Sequence, residues 1–217
     1  MKITLWLGML LLVSQIMADS SIKKERLATL MNQNVYAMNA IVKRGDYKRL
    51  DEYNQTMQKL HVKVEQIGNS HLIEQMNHYD DTVLQVSISL QKYAPDLNQN
   101  HHAIISGLKD FNRRVSSIGL AELIQGWRTL GNLKKRFVRS PSQKWAKDFN
   151  AQWLYVNTLI TELYLDEEYE TPLFEFLELY KHTFESMAAS YKEVGFDSVA
   201  ALKPLSYEIK STIIMMQ

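Results

Sequence analysis

Ser140 to Leu165 reads SPSQKWAKDFNAQWLYVNTLITELYL, and the fold class follows from this stretch. Ser140 is placed to cap the first free amides of a helix. Pro141 suits the first helical position, where no N–H is needed, and Gln143 lies where a capping box closes. Ala146, Phe149, Trp153, Val156, Ile160 and Leu163 then recur at alternating steps of three and four, the spacing of one apolar face of a helix. Trp145, Leu154, Tyr155 and Leu159 widen that face, so neighbours are expected on several sides.

The same pattern extends in both directions. A first helix is predicted from about Ile22 to Arg44, with Ala28, Met31, Val35, Met38 and Val42 inward. Gly45 and Asp46 offer a stop and a new cap. Leu50, Tyr53, Met57, Leu60, Val64 and Ile67 mark a second helix, although one gently bent rod would also absorb the change of phase. Gly68-Asn69 ends it and Ser70 is the expected cap of a third, which runs through Leu72, Met76, Tyr79, Val83, Val86 and Leu90 to a stop at Pro95. A fourth helix carries Ile104, Leu108, Phe111, Val115 and Ile118, and a break is expected at Gly119. The fifth shows Leu120, Leu123, Trp127, Leu130 and Phe137. After the opening stretch, Thr171-Pro172 repeats the cap-then-proline start of a seventh helix, which Gly195 closes. Asp197 would cap a last segment that Pro204 divides and that ends on Ile209, Ile213 and Met216. Seven or eight amphipathic helices with short links describe an all-α antiparallel bundle, or two stacked ones.

The chain has 217 residues, no cysteine, and few glycines and prolines. That composition suits helices and leaves no thiol for disulfides, thiolate metal sites or thiol catalysis. Lys2, a short apolar run and Ala18 before Asp19 read as a secretory signal peptide over residues 1–18, with an uncleaved anchor as the other reading, leaving residues 19–217 as the bundle domain. The expected location is periplasmic or secreted, with no membrane span after cleavage. Without Lys2 the basic and acidic residues balance, which argues against a nucleic-acid partner.

Candidate chemistry is sparse. His71, Glu74 and His78 share a helical face and His61 lies across a short turn, a pattern that suits a metal or haem centre. The apolar face through Leu72, Met76 and Tyr79 turns them outward, so no metal site and no cofactor is expected. His101 extends the apolar face of the fourth helix near its start, as a partly buried or capping histidine. The basic run Lys134, Lys135, Arg136, Arg139, Lys144 and Lys147 is expected to be a solvated face, with anionic lipid, a nucleotide or an acidic partner as its other reading. No nucleophile elbow or phosphate loop occurs, and no enzyme is expected.

Asn32, Asn39, Asn150 and Asn157 each flank an apolar face at heptad spacing. An amide there can fix helix register, or line a ligand cleft. Sliding the sixth helix back by about 118 positions lays it on the first, which reads either as a weak repeat of residues 22–66 in 140–184 or as two amphipathic helices that any slide can bring into register. Ala28 then meets Ala146, and the two asparagine pairs coincide.

RLATLMNQNVYAMNAIVKRGDYKRLDEYNQTM, from Arg26 to Met57, resembles the periplasmic sensor domains of the type IV pilus methyl-accepting transducer family, related to nitrate-sensor bundles. Met31 to Asn34 falls where that family has its Met-Leu-Ser-Gln-Arg type run, and Lys147 to Asn157 stands as a second copy. Asn34 and Gln152 replace an arginine, so the likeness does not extend to the family's route of anion binding. The resemblance implies an exported sensing bundle. The expected function is therefore non-enzymatic binding of a small ligand or an envelope partner, with a metal- or haem-binding bundle as the alternative.

Overall fold

The computed structural model describes residues 25–215. The signal segment with its cleavage after Ala18, the start of the first helix near Ile22, and Met216 lie outside the described residues. Helix α1 occupies residues 25–44 of that range. A 3-10 turn, Tyr47–Arg49, leads into α2 (Leu50–Ile67). Then follow α3 (Ser70–Tyr93), α4 (Leu97–Ile118), α5 (Ala121–Arg139), α6 (Gln143–Thr161), α7 (Glu167–Val194) and α8 (Phe196–Met215). No strand occurs among the described residues, and the fold is the all-α bundle that the periodicity predicts. No helix among them is long and apolar enough to cross a membrane.

The helices divide between two compact units, and the division falls within α1, α3 and α8. One unit holds residues 25–38, Lys48–Asp80 and 203–215. The other holds Asn39–Tyr47 and Asp81–Leu202.

In the second unit α4 packs on α7, α5 on α6, α6 on α7, and α4 on α5. Links of a few residues make these neighbours antiparallel. Aromatic rings fill the space between them. Phe149 stacks on Phe184 with ring centroids 3.6 Å apart. Phe111 stacks on Phe176 at 4.5 Å, and Trp127 meets Tyr180 edge-on at 5.1 Å. Each such side chain removed from water stabilises the fold by about 2–3 kcal/mol. Gly126 lets α5 approach α6 closely, because a β-carbon there would stand 3.1 Å from Val156 Cγ2. Gln152 Nε2 donates to the Gly126 carbonyl at 3.1 Å across the same contact.

In the first unit the inward face of α1 is rotated from the one expected. Leu27, Met31, Asn34 and Met38 are buried, whereas Ala28 and Val35 are half-buried. Asn34 is fully buried, and its Nδ2 donates to the Tyr53 carbonyl at 3.2 Å and to Thr56 Oγ1 at 3.1 Å. An amide can stand among apolar neighbours when its N–H groups find acceptors, and here they tie α1 to α2. Tyr53 donates in turn to Asp80 Oδ1 at 2.9 Å, joining α2 to α3.

Several helix ends depart from expectation. Residue 142, not Ser140, caps α6: Ser142 Oγ accepts from the Trp145 amide at 3.3 Å. Pro141 is buried ahead of the cap, and Gln143 is the first helical residue, too early for a capping box. The helix stops at Thr161, short of Leu165, and Tyr164 adopts a left-handed φ of 47°. Asn69, not Ser70, caps α3 through its Oδ1, which accepts from the Leu72 amide at 3.0 Å. Helices α1 and α2 are not one rod, because Gly45 turns left-handed at φ 64°.

Prolines 172 and 204 lie inside helices rather than at their starts. Helix α7 begins five residues ahead of Pro172, where Glu167, Glu168 and Glu170 complement the positive end of the helix dipole. Pro172 has no N–H for the Glu168 carbonyl. Arg114 of α4 extends Nη1 to that carbonyl instead, at 3.5 Å. Asp197 falls within the first turn of α8, and α8 continues through Pro204.

The ends of the two helices matched by the repeat coincide closely. At an offset near 118, the end of α1 falls one residue past that of α6, and the start of α2 one residue past that of α7.

Candidate functional site

The last turns of α1, from Asn39 on, belong to the second unit and stop there. Gly45 makes the stop, with its amide on the Ile41 carbonyl at 2.9 Å. The carbonyls left over at a helix end need outside donors. Tyr191 Oη of α7 donates to the Val42 carbonyl at 2.7 Å, fully buried, and Asn98 Nδ2 of α4 donates to the Arg44 carbonyl at 3.3 Å. A β-carbon on Gly45 would fall 2.9 Å from Leu97 Cβ, so α1 ends hard against the first turn of α4.

That junction opens a cleft of ≈ 470 Å³. Asn39, Lys43 and Arg44 of α1 line one side, and Leu97 and His101 of α4 another. Lys134 and Val138 of α5, with Thr183 and Met187 of α7, complete it. Leu97, Val138 and Met187 make the wall apolar. Among the described residues no carboxylate lines the cleft, while three cationic side chains and an imidazole do.

Lys134 is the unusual member. It stands on the inward face of α5, between Leu130 and Phe137, which are both fully buried. Burial pushes its ammonium down to about 8 from the usual 10.5. Its Nζ lies 4.3 Å from the centre of the Tyr180 ring, and it has no hydrogen bond or ion pair among the described residues. His101 is held below its usual range, first by burial and then by the charges of Lys134, His102 and Arg44. These causes favour its neutral form, in which one nitrogen donates and one accepts. Thr183 Oγ1 already donates to the Leu179 carbonyl at 2.7 Å, so toward the cleft it offers only lone pairs.

Of the four asparagines singled out in the sequence, only Asn39 lines this cleft. Asn32 is exposed in the first unit. Asn150 is exposed and Asn157 half-buried on α6, which does not border the cleft. The amide that ties helices in the first unit is Asn34, which occupies an inward position of α1. Within the basic run only Lys134 turns inward. Arg136 and Lys144 lie over the Trp145 ring at 5.3 and 5.1 Å, and Lys135 and Arg139 are exposed.

His71, Glu74 and His78 are exposed, and His61 Nε2 lies 4.0 Å from Asp80 Oδ2. No group of three or more histidines and carboxylates among the described residues is placed to hold a metal ion. The chain matches no protein-family model, no curated protein and no solved structure.

Proposed function

We propose that this chain is an exported, non-enzymatic helical-bundle protein that binds a small organic anion in the cleft between α1, α4, α5 and α7. One observation carries the reading: Lys134 holds a desolvated ammonium without a hydrogen bond or ion pair among the described residues, in a cleft that no carboxylate lines. A cation withdrawn from water without a counter-ion destabilises its fold. A ligand that brings the counter-ion relieves that penalty, so binding energy is concentrated at Lys134. Arg44 adds a planar fork suited to a carboxylate or phosphate. The wall of Leu97, Val138 and Met187 accepts a short hydrocarbon body, and the volume falls within the range of small-molecule sites. Export rests on residues 1–18. The sensing role rests on the resemblance from Arg26 to Met57.

Titration calorimetry at low salt tests the binding, with butyrate, succinate and inorganic phosphate as ligands and butylamine as the cationic control. The expected result is binding of at least one anion, none of butylamine, and loss of the anion signal in a folded Lys134→Met variant. Binding of no anion, or unchanged binding by the variant, would overturn the reading. For export, amino-terminal sequencing of the protein from the cell envelope is expected to begin at Asp19.

A further inference from the structure

The anion-binding reading leaves one property of the cleft unused, the nucleophilicity of its lysine. An amine reacts with a carbonyl carbon only when its nitrogen carries a free lone pair, and a lysine bound to a carboxylate rarely offers one. Lys134 has no carboxylate beside it, faces apolar side chains, and shares its cleft with Arg44 and Lys43. We propose that Lys134 Nζ captures small anionic carbonyl compounds, 2-oxo acids and carboxy-aldehydes, as a reversible imine. This rests on the anion-binding reading: the carboxylate enters as counter-ion to all three cations, and the complexes in which Arg44 and Lys43 hold it leave the neutral fraction of Lys134 to react.

The chemistry balances without any further reactant. The lone pair of neutral Nζ forms a C–N bond to the carbonyl carbon, and the carbonyl π pair moves to oxygen, which takes a proton. The nitrogen gives up both of its protons, one to that oxygen and one to the hydroxyl as it departs as water, leaving a neutral C=N bond. One water is released and no electrons are exchanged. His101 faces the same cleft and in its neutral form can relay a proton that the nitrogen gives up. The apolar wall of Leu97, Val138 and Met187 favours the dehydrated product by limiting water near the bond. The fall of the Lys134 ammonium to about 8 raises its neutral fraction at pH 7.5 on the order of a hundredfold over an ordinary lysine.

The test uses the full mature chain at pH 7.5 with glyoxylate or pyruvate and sodium cyanoborohydride, which traps the imine as a stable amine. Intact mass and peptide mapping read the result. A single adduct is expected, at Lys134, formed on the order of a hundredfold faster than at other lysines. Lys134→Arg, which keeps the charge and removes the nucleophile, is expected to leave only slow, scattered labelling. Arg44→Gln is expected to slow labelling by glyoxylate more than labelling by uncharged propionaldehyde. Labelling spread over the lysines by exposure overturns the proposal, as does equal preference of Lys134 for propionaldehyde and glyoxylate. If calorimetry detects pyruvate binding and no imine is trapped, the covalent step fails while the anion-binding reading stands.

Discussion

Replacing Lys134 with methionine is expected to make the protein more stable and unable to bind its ligand. The magnitude follows from the cleft. Burial moves the ammonium from 10.5 to about 8. At somewhat over 1 kcal/mol per tenfold change in acidity, that displacement is worth about 3 kcal/mol of destabilisation when the amine is charged. The face of the Tyr180 ring, 4.3 Å from Nζ, returns roughly 1 kcal/mol. Partial access of water at this half-buried site reduces the remainder further. Methionine keeps the length of the side chain and meets the same ring through its sulfur. A net gain of about 1–2 kcal/mol at pH 7 is therefore expected. Below pH 8 the amine is charged in both folded and unfolded chains, and its penalty is fully present. Between about pH 8 and 10.5 the folded chain sheds a proton that the unfolded chain keeps, so the stability of the parent rises with pH. The groups that face the amine are Lys43 and Arg44 from α1, His101 from α4 and Tyr180 from α7. Parent and variant share them, and the variant lacks only the Lys134 charge, whose repulsion of a protonated His101 is felt below pH 7. Urea denaturation of both proteins at pH 7 and at pH 9.5 measures it. The gap is expected to shrink by more than half at the higher pH. A variant no more stable than the parent at pH 7, or a gap that does not change with pH, would refute the reasoning.

Three further substitutions probe the supports of the fold. Tyr191→Phe removes the donor to the Val42 carbonyl and leaves it buried, which is expected to cost about 1–3 kcal/mol by urea denaturation. Gly45→Ala forces a β-carbon into a left-handed residue and within 2.9 Å of Leu97 Cβ, so a loss of about 2–4 kcal/mol is expected. Because Leu97 and Arg44 must shift to admit it, weaker anion binding in calorimetry is expected as well. Asn34→Asp replaces a donor with a carboxylate against the Tyr53 carbonyl, and about 3 kcal/mol or more should be lost at pH 7. The buried acid has a raised folded pKa, so it contributes more stability when protonated. The difference from the parent is thus expected to narrow as pH falls from 7 to 4.5.

The helices were legible because each apolar face is continuous and glycine or proline stands at most boundaries. The break at Gly119 and the stops at Gly68, Pro95 and Gly195 fall where the sequence places them. Pro172 and Pro204 were misread because a proline rule is local, whereas a long packed helix keeps its course when an outside donor such as Arg114 serves the orphaned carbonyl. At the start of α6, two serines flank Pro141, and the local motif chose the first while the chain caps with the second. The cleft was harder to see, since it joins residues from Asn39 to Met187 on four helices, and helical periodicity carries no information about which faces meet. Two signals were nevertheless present. Leu130 and Phe137 leave a gap in the apolar face of α5, and Lys134 stands in that gap. Asn34 likewise sits between Met31 and Met38. A polar residue on an otherwise apolar face is the pattern that marks both.

The capping of α1 also sets an order of assembly. Its final carbonyls are served by Asn98 and Tyr191, which lie 54 and 149 residues away along the chain. Closing loops of that length is slow compared with forming a helix. During synthesis from the amino end, the last turn of α1 can form early but stays unanchored until α7 has emerged. Arg44 and Lys43 therefore take their places late, and the cleft is among the last features of the second unit to be completed. A chain truncated before Thr183 would lack the α7 side of the cleft, Thr183 and Met187, as well as the Tyr191 donor to Val42.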